Sequence, residues 1–189
     1  MLVIGLTGRN CAGKDATADI LERLGFERHS LSDAIRAELR ARGESVTREA
    51  LIELGNALRR EEGPATLAER MKRTIQTDRV VLVSVRSVPE VESLRELEGF
   101  YLIALEAPPR TRFTREHERN PHRGEGVAAD LDAFLELEAR EDTDDPATQQ
   151  LGATIRAADH VIANDGTLQD LEDKVSALLA RIASAQGAR

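Results

Sequence analysis

The chain has 189 residues, a formal net charge of −8 and one cysteine, Cys11. That length lets a single domain bury a core unaided, and one cysteine excludes an intramolecular disulfide or a cysteine-rich zinc site. The acidic balance argues against holding nucleic acid or an anionic membrane through the overall field, which leaves small molecules as the expected partners.

In chain order, Leu2 to Leu6 reads as a buried strand, and the helical run Ala16 to Leu24 follows, with Ala18, Ile20, Leu21 and Leu24 on one face. Glu27 to Leu31 is a weaker strand. Residues 32–76 hold no convincing strand and predict a helical insertion. Val80 to Val83 and Phe100 to Leu105 are further strands. Residues 108–148 are rich in arginine and acid around Arg123-Gly124-Glu125-Gly126, the composition of a flap, and Leu131 to Asp145 within them is an amphipathic helix. His160 to Ala163 is the last strand. Asn164-Asp165-Gly166 is a turn, with Asp165 or Thr167 capping a final helix that carries Leu168, Leu171, Val175, Leu178 and Ile182. The polar tail after Ile182 is expected to fray.

Nearly continuous apolar strands imply a sheet covered on both faces, and strands alternating with helices predict an α/β fold with a parallel sheet, one domain over residues 1–189. Met1 to Leu6 is too short for a signal h-region, and no later apolar run approaches transmembrane length, so a cytoplasmic protein is expected.

Between the first strand and its helix, Gly8-Arg9-Asn10-Cys11-Ala12-Gly13-Lys14 supplies G-x-x-x-x-G-K, the phosphate-binding P-loop. Glycines at both ends let successive N–H groups face one centre, the N-terminus of the following helix adds its dipole, and Lys14, Asp15 and Ala16 complete the expected phosphate-binding set. Lys14 would reach the transferred phosphoryl group. Lysine occurs elsewhere only at Lys72 and Lys174 in a chain that otherwise uses arginine, and a compact ammonium is what this position requires. Asp15 stands where a hydroxyl usually binds magnesium. It either holds the ion, directly or through water, or serves as an acidic first-turn residue. Cys11 reads as a small loop residue.

Gly13-Lys14-Asp15-Ala16-Thr17-Ala18-Asp19 resembles the loop of phage deoxynucleoside monophosphate kinases, and Ile4-Gly5-Leu6-Thr7-Gly8 with Leu24-Gly25-Phe26 resembles dephospho-CoA kinases. Along nearly the whole chain the sequence is similar to archaeal kinase-like proteins and to the kinase-like segment preceding some deoxycytidylate deaminases. A nucleoside monophosphate kinase-like protein of the P-loop NTPase fold is implied: a five-stranded parallel sheet with helices on both faces, an acceptor-binding insertion over about 32–76, a lid over about 108–148, and ATP with Mg2+ as donor.

The resemblance also implies site residues. Ser30-Leu31-Ser32-Asp33-Ala34-Ile35-Arg36 is similar to the segment that opens the acceptor site, with Arg36 on the acceptor's phosphate. Val83-Ser84-Val85-Arg86-Ser87 is similar to a segment whose arginine, here Arg86, contacts the same phosphate. Val83 stands where many relatives carry an acid near the metal, a gap that Asp15 would fill. Glu106 to Arg110 with Arg112, Arg115 and Arg119 resembles the helix into the lid, and Glu138 to Asp142 the lid-exit helix, with Arg140 as transition-state arginine. Arg140 has a plainer role as an i,i+4 partner of Glu136. Asn164 and Gly166 fall near the donor base.

The leading expectation is phosphoryl transfer from Mg-ATP to a nucleoside monophosphate, possibly a deoxynucleotide. Dephospho-CoA kinase is the alternative, with Asp33 as general base, although Ser32-Asp33 is also a natural helix cap. An ATP-binding sensor or partner subunit with little turnover is the alternative of another class. His29, His117, His122 and His160 show no metal-binding spacing and are assigned surface or packing roles.

Overall fold

A computed structural model describes residues 1–119 and 128–187. Its sheet follows from the apolar runs: β1 (Leu2–Thr7), β2 (Glu27–Ser30), β3 (Arg79–Val83), β4 (Phe100–Glu106) and β5 (His160–Ala163). These are the five expected strands, each bound differing by no more than one residue. They pair in parallel in the order β2-β3-β1-β4-β5. Successive residues face opposite layers. Ile4, Leu6, Val81, Val83, Ile103 and Leu105 point to one core, and Val3, Val80, Leu82 and Leu102 to the other. Burial on both sides is why the strands read as unbroken apolar runs.

On the first face, α1 (Lys14–Arg23) packs against α9 (Leu168–Gly187), with Ala18, Leu21, Leu171, Val175 and Leu178 closing the core. On the second lie α2 (Asp33–Ala41), α3 (Arg48–Glu62), α4 (Thr66–Lys72) and α5 (Val88–Leu94), which bury Ile35, Leu39, Leu58, Met71 and Leu94. Between β2 and β3 the chain is helical, as the sequence predicts. Between β4 and β5 run α6 (Pro109–Arg119), α7 (Leu131–Glu141) and α8 (Leu151–Arg156), with Phe113 of α6 edge-on to Phe134 of α7 at 5.9 Å.

Two expectations need adjustment, and one falls outside the described residues. The helix read as Leu131 to Asp145 stops at Glu141, because Asp142 is extended and its carboxylate accepts from the backbone of Gly152 at 2.9 Å. The helix does not end at Ile182: α9 runs on to Gly187, through alanines that favour helix. The glycine-rich Arg123–Gly126 and His122 lie outside the described residues.

Because β1 is central, with β3 on one side and β4 on the other, its carboxyl end sits where chain connections diverge to either side. Open α/β sheets bind ligands at such a point. No described helix is long and apolar enough to cross a membrane.

Candidate active site

The loop leaving β1 keeps its shape through residues no others replace easily. Gly8 has φ 138, and a Cβ there would stand 2.4 Å from the carbonyl oxygen of Leu105. Gly13 has φ 108, Cys11 is left-handed at φ 56, and Ala12 is fully buried. From the turn after β5, Asn164 Nδ2 donates to the carbonyl of Ala12 at 2.9 Å, which ties the loop to the far edge of the sheet.

Lys14 opens α1, and its Nζ donates back to the carbonyls of Gly8 and Arg9, both at 2.8 Å. The ammonium is thus held across the concave loop. Burial pushes its pKa down to about 8, and the positive field of Arg86 pushes the same way. Burial likewise raises the Cys11 thiol above its usual range, with Glu116 adding to the effect, so this thiol is not activated.

A cavity of about 370 Å³ lies on the α2–α3 side, its wall including Arg36, Arg48, Arg59, Ser84 and Arg86. A smaller one of about 180 Å³ adjoins the loop, with Gly8, Lys14, Arg48, Arg86 and Glu138 in its wall. Arg48 and Arg86 border both, so two guanidiniums stand at the junction between Lys14 and the larger cavity. Arg86 Nη1 donates to Gln149 Oε1 at 2.7 Å. Its backbone N–H donates to Glu90 Oε2 at 2.8 Å, and Glu90 is itself fully buried against Arg59, Oε1 to Nη2 2.8 Å. Arg36 Nη1 donates to Ser32 Oγ at 2.6 Å and to Asp33 Oδ1 at 3.0 Å. Ser32 and Asp33 do not cap α2 through their side chains as expected: Ser32 makes no side-chain cap bond, and Asp33 Oδ2 accepts from the backbone of Ser30 at 3.1 Å.

On the other side of the loop, a cavity of about 450 Å³ is walled by Ala12, Leu105, Pro108, Arg112, Ile155 and Asp165, among others. Asn164 is spent on the loop, and the side of Gly166 on which a Cβ would stand faces Asp170, whose Oδ2 would lie 2.5 Å from it. Asp165 and Ala163, not Asn164 and Gly166, therefore reach this cavity from the turn. Thr167 caps α9, its Oγ1 accepting from Asp170 N at 3.2 Å while Asp170 Oδ2 accepts from Thr167 N at 2.7 Å.

Helix α6 clasps the loop from above. Arg112 is buried in a pair with Glu138 of α7 and donates to the carbonyl of Asn10 at 3.3 Å. Arg115 donates to the carbonyls of Cys11 at 3.5 Å and Asn164 at 3.1 Å, and Glu116 Oε1 accepts from Asn10 Nδ2 at 2.9 Å. Arg9 pairs with Asp142 at 3.3 Å. Arg119 turns instead to Asp15 at 3.1 Å, and Asp15 also pairs with Arg28 at 2.9 Å. Half exposed between two guanidiniums, the Asp15 carboxylate is not in the wall of the cavity at Lys14. Arg140 is 74% exposed and pairs with Glu136 at 3.4 Å, its plainer role.

No protein-family model matches the chain. It is 33% identical over 184 residues to a UPF0200 protein of Hyperthermus butylicus, a match spanning 96% of this chain and 95% of that one. The chain belongs to the UPF0200 family. Among solved structures it resembles a shikimate kinase of Bacteroides thetaiotaomicron, with TM-score 0.61 and 14% identity over 95% of this chain and 98% of that one. It also resembles a gluconokinase of Sinorhizobium meliloti, with TM-score 0.55 and 18% identity over 98% and 95%. The UPF0200 chain therefore has the P-loop kinase fold, in line with the kinase-like resemblance of its motifs.

Four residues of this UPF0200 site were not singled out from the sequence: Arg48, Ser84, Glu90 and Glu138. Arg48 carried no pattern, whereas Glu90 closes the capping-box spacing Ser87-Val88-Pro89-Glu90, a signal that could have found it. Ser84 lay within a recognised segment, and Glu138 beside the arginine that drew attention.

Proposed function

We propose that this UPF0200 protein is an ATP-dependent kinase, built as one domain, that transfers the γ-phosphoryl group to the phosphate of a nucleoside monophosphate. The observation that carries this reading is the wall of the 370 Å³ cavity: four arginines, Arg36, Arg48, Arg59 and Arg86, and no carboxylate among its described residues. A hydroxyl acceptor benefits from a base to take its proton. A phosphate acceptor arrives ionised and needs guanidiniums instead, whose forks match its oxygens. Asp33, the base a hydroxyl acceptor would use, is held by Arg36 and the Ser30 amide.

ATP phosphates would lie in the loop from Gly8 to Ala16, on backbone N–H groups and on Lys14, whose ammonium exchanges two carbonyls for phosphate oxygens. The base would enter the 450 Å³ cavity. Arg36 and Arg86 would hold the acceptor phosphate. Arg48, at the junction, and Arg112 and Arg115, above the loop, would neutralise charge that spreads over the transferring group. Arg119 and Arg140 stand outside this set.

The described residues contain no group of three metal-ligating side chains. Mg2+ needs no such cage: it keeps several waters and takes one or two carboxylates with the substrate's phosphates. Glu138, the carboxylate in the wall beside Lys14, would take that part by sharing its oxygens between the ion and Arg112, whereas Asp15 lies outside that wall and would have to leave two guanidiniums. Bound there, the ion would screen the phosphate charge as the bond to the leaving oxygen lengthens.

ATP consumption with magnesium across ribo- and deoxynucleoside monophosphates and dephospho-CoA, with Lys14→Ala as background, tests the reading. Lys14-dependent turnover with one monophosphate supports it. Turnover with dephospho-CoA alone would move the acceptor to a hydroxyl, and ATP binding without stimulated turnover would make the protein a sensor.

A further inference from the structure

At the carboxyl ends of β2 and β3 three hydroxyls meet. Ser30 Oγ and Ser32 Oγ lie 2.8 Å apart, and both reach Ser84 Oγ, at 3.1 and 3.4 Å, with Ser84 the acceptor. Donors also arrive from outside: Arg36 Nη1 on Ser32 Oγ at 2.6 Å and the Ser32 amide on Ser30 Oγ at 3.4 Å. Each hydroxyl has one proton, so the three contacts cannot all be made at once: with Ser32 donating to Ser30 and Ser30 to Ser84, the proton of Ser84 has no acceptor within the cluster. Ser32 and Ser84 both border the 370 Å³ cavity, alongside Arg36, Arg48 and Arg86.

The backbone marks the same residue. Ser84 has φ 67, the left-handed region that any residue with a Cβ occupies at a cost. Glycine would sit there freely. A strained conformation persists where surrounding structure fixes it, and such positions cluster at ligand-binding sites. Here the strain aims a side chain: it sets the Ser84 hydroxyl over the cavity two residues before Arg86.

We infer that Ser84 is an acceptor-binding residue, its hydroxyl donating a hydrogen bond to a phosphate oxygen of the acceptor, with Ser30 orienting it by donating to its oxygen and Ser32 holding Ser30 in turn. The inference rests on the proposed phosphate-acceptor reading and gives that acceptor a neutral donor beside the guanidiniums. A neutral donor adds direction without adding charge to a wall that already holds four arginines.

Two variants separate this role from a structural one. Ser84→Ala removes the hydroxyl and keeps the strained backbone, whereas Ser84→Gly removes the hydroxyl and relieves the strain. With the best monophosphate from the acceptor panel, both should raise the acceptor KM about tenfold, the effect of losing one hydrogen bond to a charged group, while leaving the KM for ATP unchanged. Thermal melts should place Ser84→Gly about 2–4 °C above Ser84→Ala. Equal kinetic loss in two variants of unequal stability supports the inference. A wild-type acceptor KM in either variant overturns it, as does a loss that follows stability and vanishes in Ser84→Gly. If wild-type protein shows no Lys14-dependent turnover with any monophosphate, the phosphate-acceptor reading itself fails and this inference falls with it.

Discussion

Asn164 Nδ2 occupies the space that a side chain on Gly13 would need: a Cβ there would stand 2.1 Å from that nitrogen. The same nitrogen holds the carbonyl of Ala12 at 2.9 Å, so one amide both supports the loop and forbids substitution within it. Gly13→Ala should lose ATP binding and cost at least about 1–2 kcal/mol for a left-handed alanine alone, plus the collision. Asn164→Ala should cost about 1–3 kcal/mol through the lost buried hydrogen bond. Because each change touches the other's partner, urea unfolding of the double variant should show a smaller loss than the sum. Strict additivity would contradict this geometry.

The depressed Lys14 pKa predicts a pH dependence with two signs. The unfolded amine titrates at 10.5 and the folded one at about 8, so between these values the unfolded chain binds more protons and stability from this group rises with pH. Below pH 8 the charged amine burdens the fold in full. Phosphate oxygens restore the charge, so ATP binding should take up a proton near and above pH 8, and affinity should fall as pH rises through 8. Calorimetry at pH 8.5 in buffers of different ionisation enthalpy would reveal the uptake, and Lys14→Arg should abolish it.

Arg48 and Arg140 should separate cleanly. Arg48→Ala removes a guanidinium between the loop and the acceptor cavity, and kcat/KM should fall about 10- to 100-fold, as for a lost charged hydrogen bond. Arg140→Ala removes an exposed pair with Glu136, and neither stability nor turnover should change by more than about twofold. Steady-state kinetics on the two variants, with circular dichroism to verify folding, decide the assignment; the reverse ranking would return Arg140 to the chemistry.

Glu90 links the two halves of the acceptor wall. Its carboxylate binds Arg59 of α3 and, through its other oxygen, the backbone amides of Arg86 at 2.8 Å and Ser87 at 3.2 Å. Glu90→Ala leaves a buried guanidinium without its anion and should cost about 3–5 kcal/mol. Adding Arg59→Met should recover part of that loss, since the stranded charge goes with it. Thermal melts of the single and double variants test this, and a Glu90→Ala protein as stable as wild type would remove Glu90 from its place.

What could be read in advance was what local sequence dictates. Residues buried on both sides of a sheet declare themselves as apolar runs, and a loop that depends on Gly8, Gly13 and Lys14 carries its geometry in its spacing. The acceptor wall was only half legible. Arg36 and Arg86 stand beside strand ends, where a motif places them, while Arg48 arrives from the start of α3, a position that helix packing sets; Glu90 caps α5 locally, and only its reach to Arg59 depends on packing. Helix α7 misled for another reason: Phe134 is buried while Leu135 and Leu137 remain exposed. Its apolar residues thus do not mark the inner face, and Glu138, not Arg140, turns inward. Asp15 is the acidic first-turn residue that one of its two readings allows, but Arg28 and Arg119, distant in sequence, also claim its carboxylate.

The grip of α6 on the loop has a thermodynamic corollary. Arg112, Arg115 and Glu116 bind Asn10, Cys11 and Asn164, the atoms that shape the phosphate cradle or brace it. Whatever loosens that helix must then change how tightly the cradle holds an anion, and an anion in the cradle must change the helix by the same factor, because linkage is reciprocal. Amide exchange in residues 109–119 would therefore report on loop occupancy, and the helix would work as a built-in gauge of whether a nucleotide is bound.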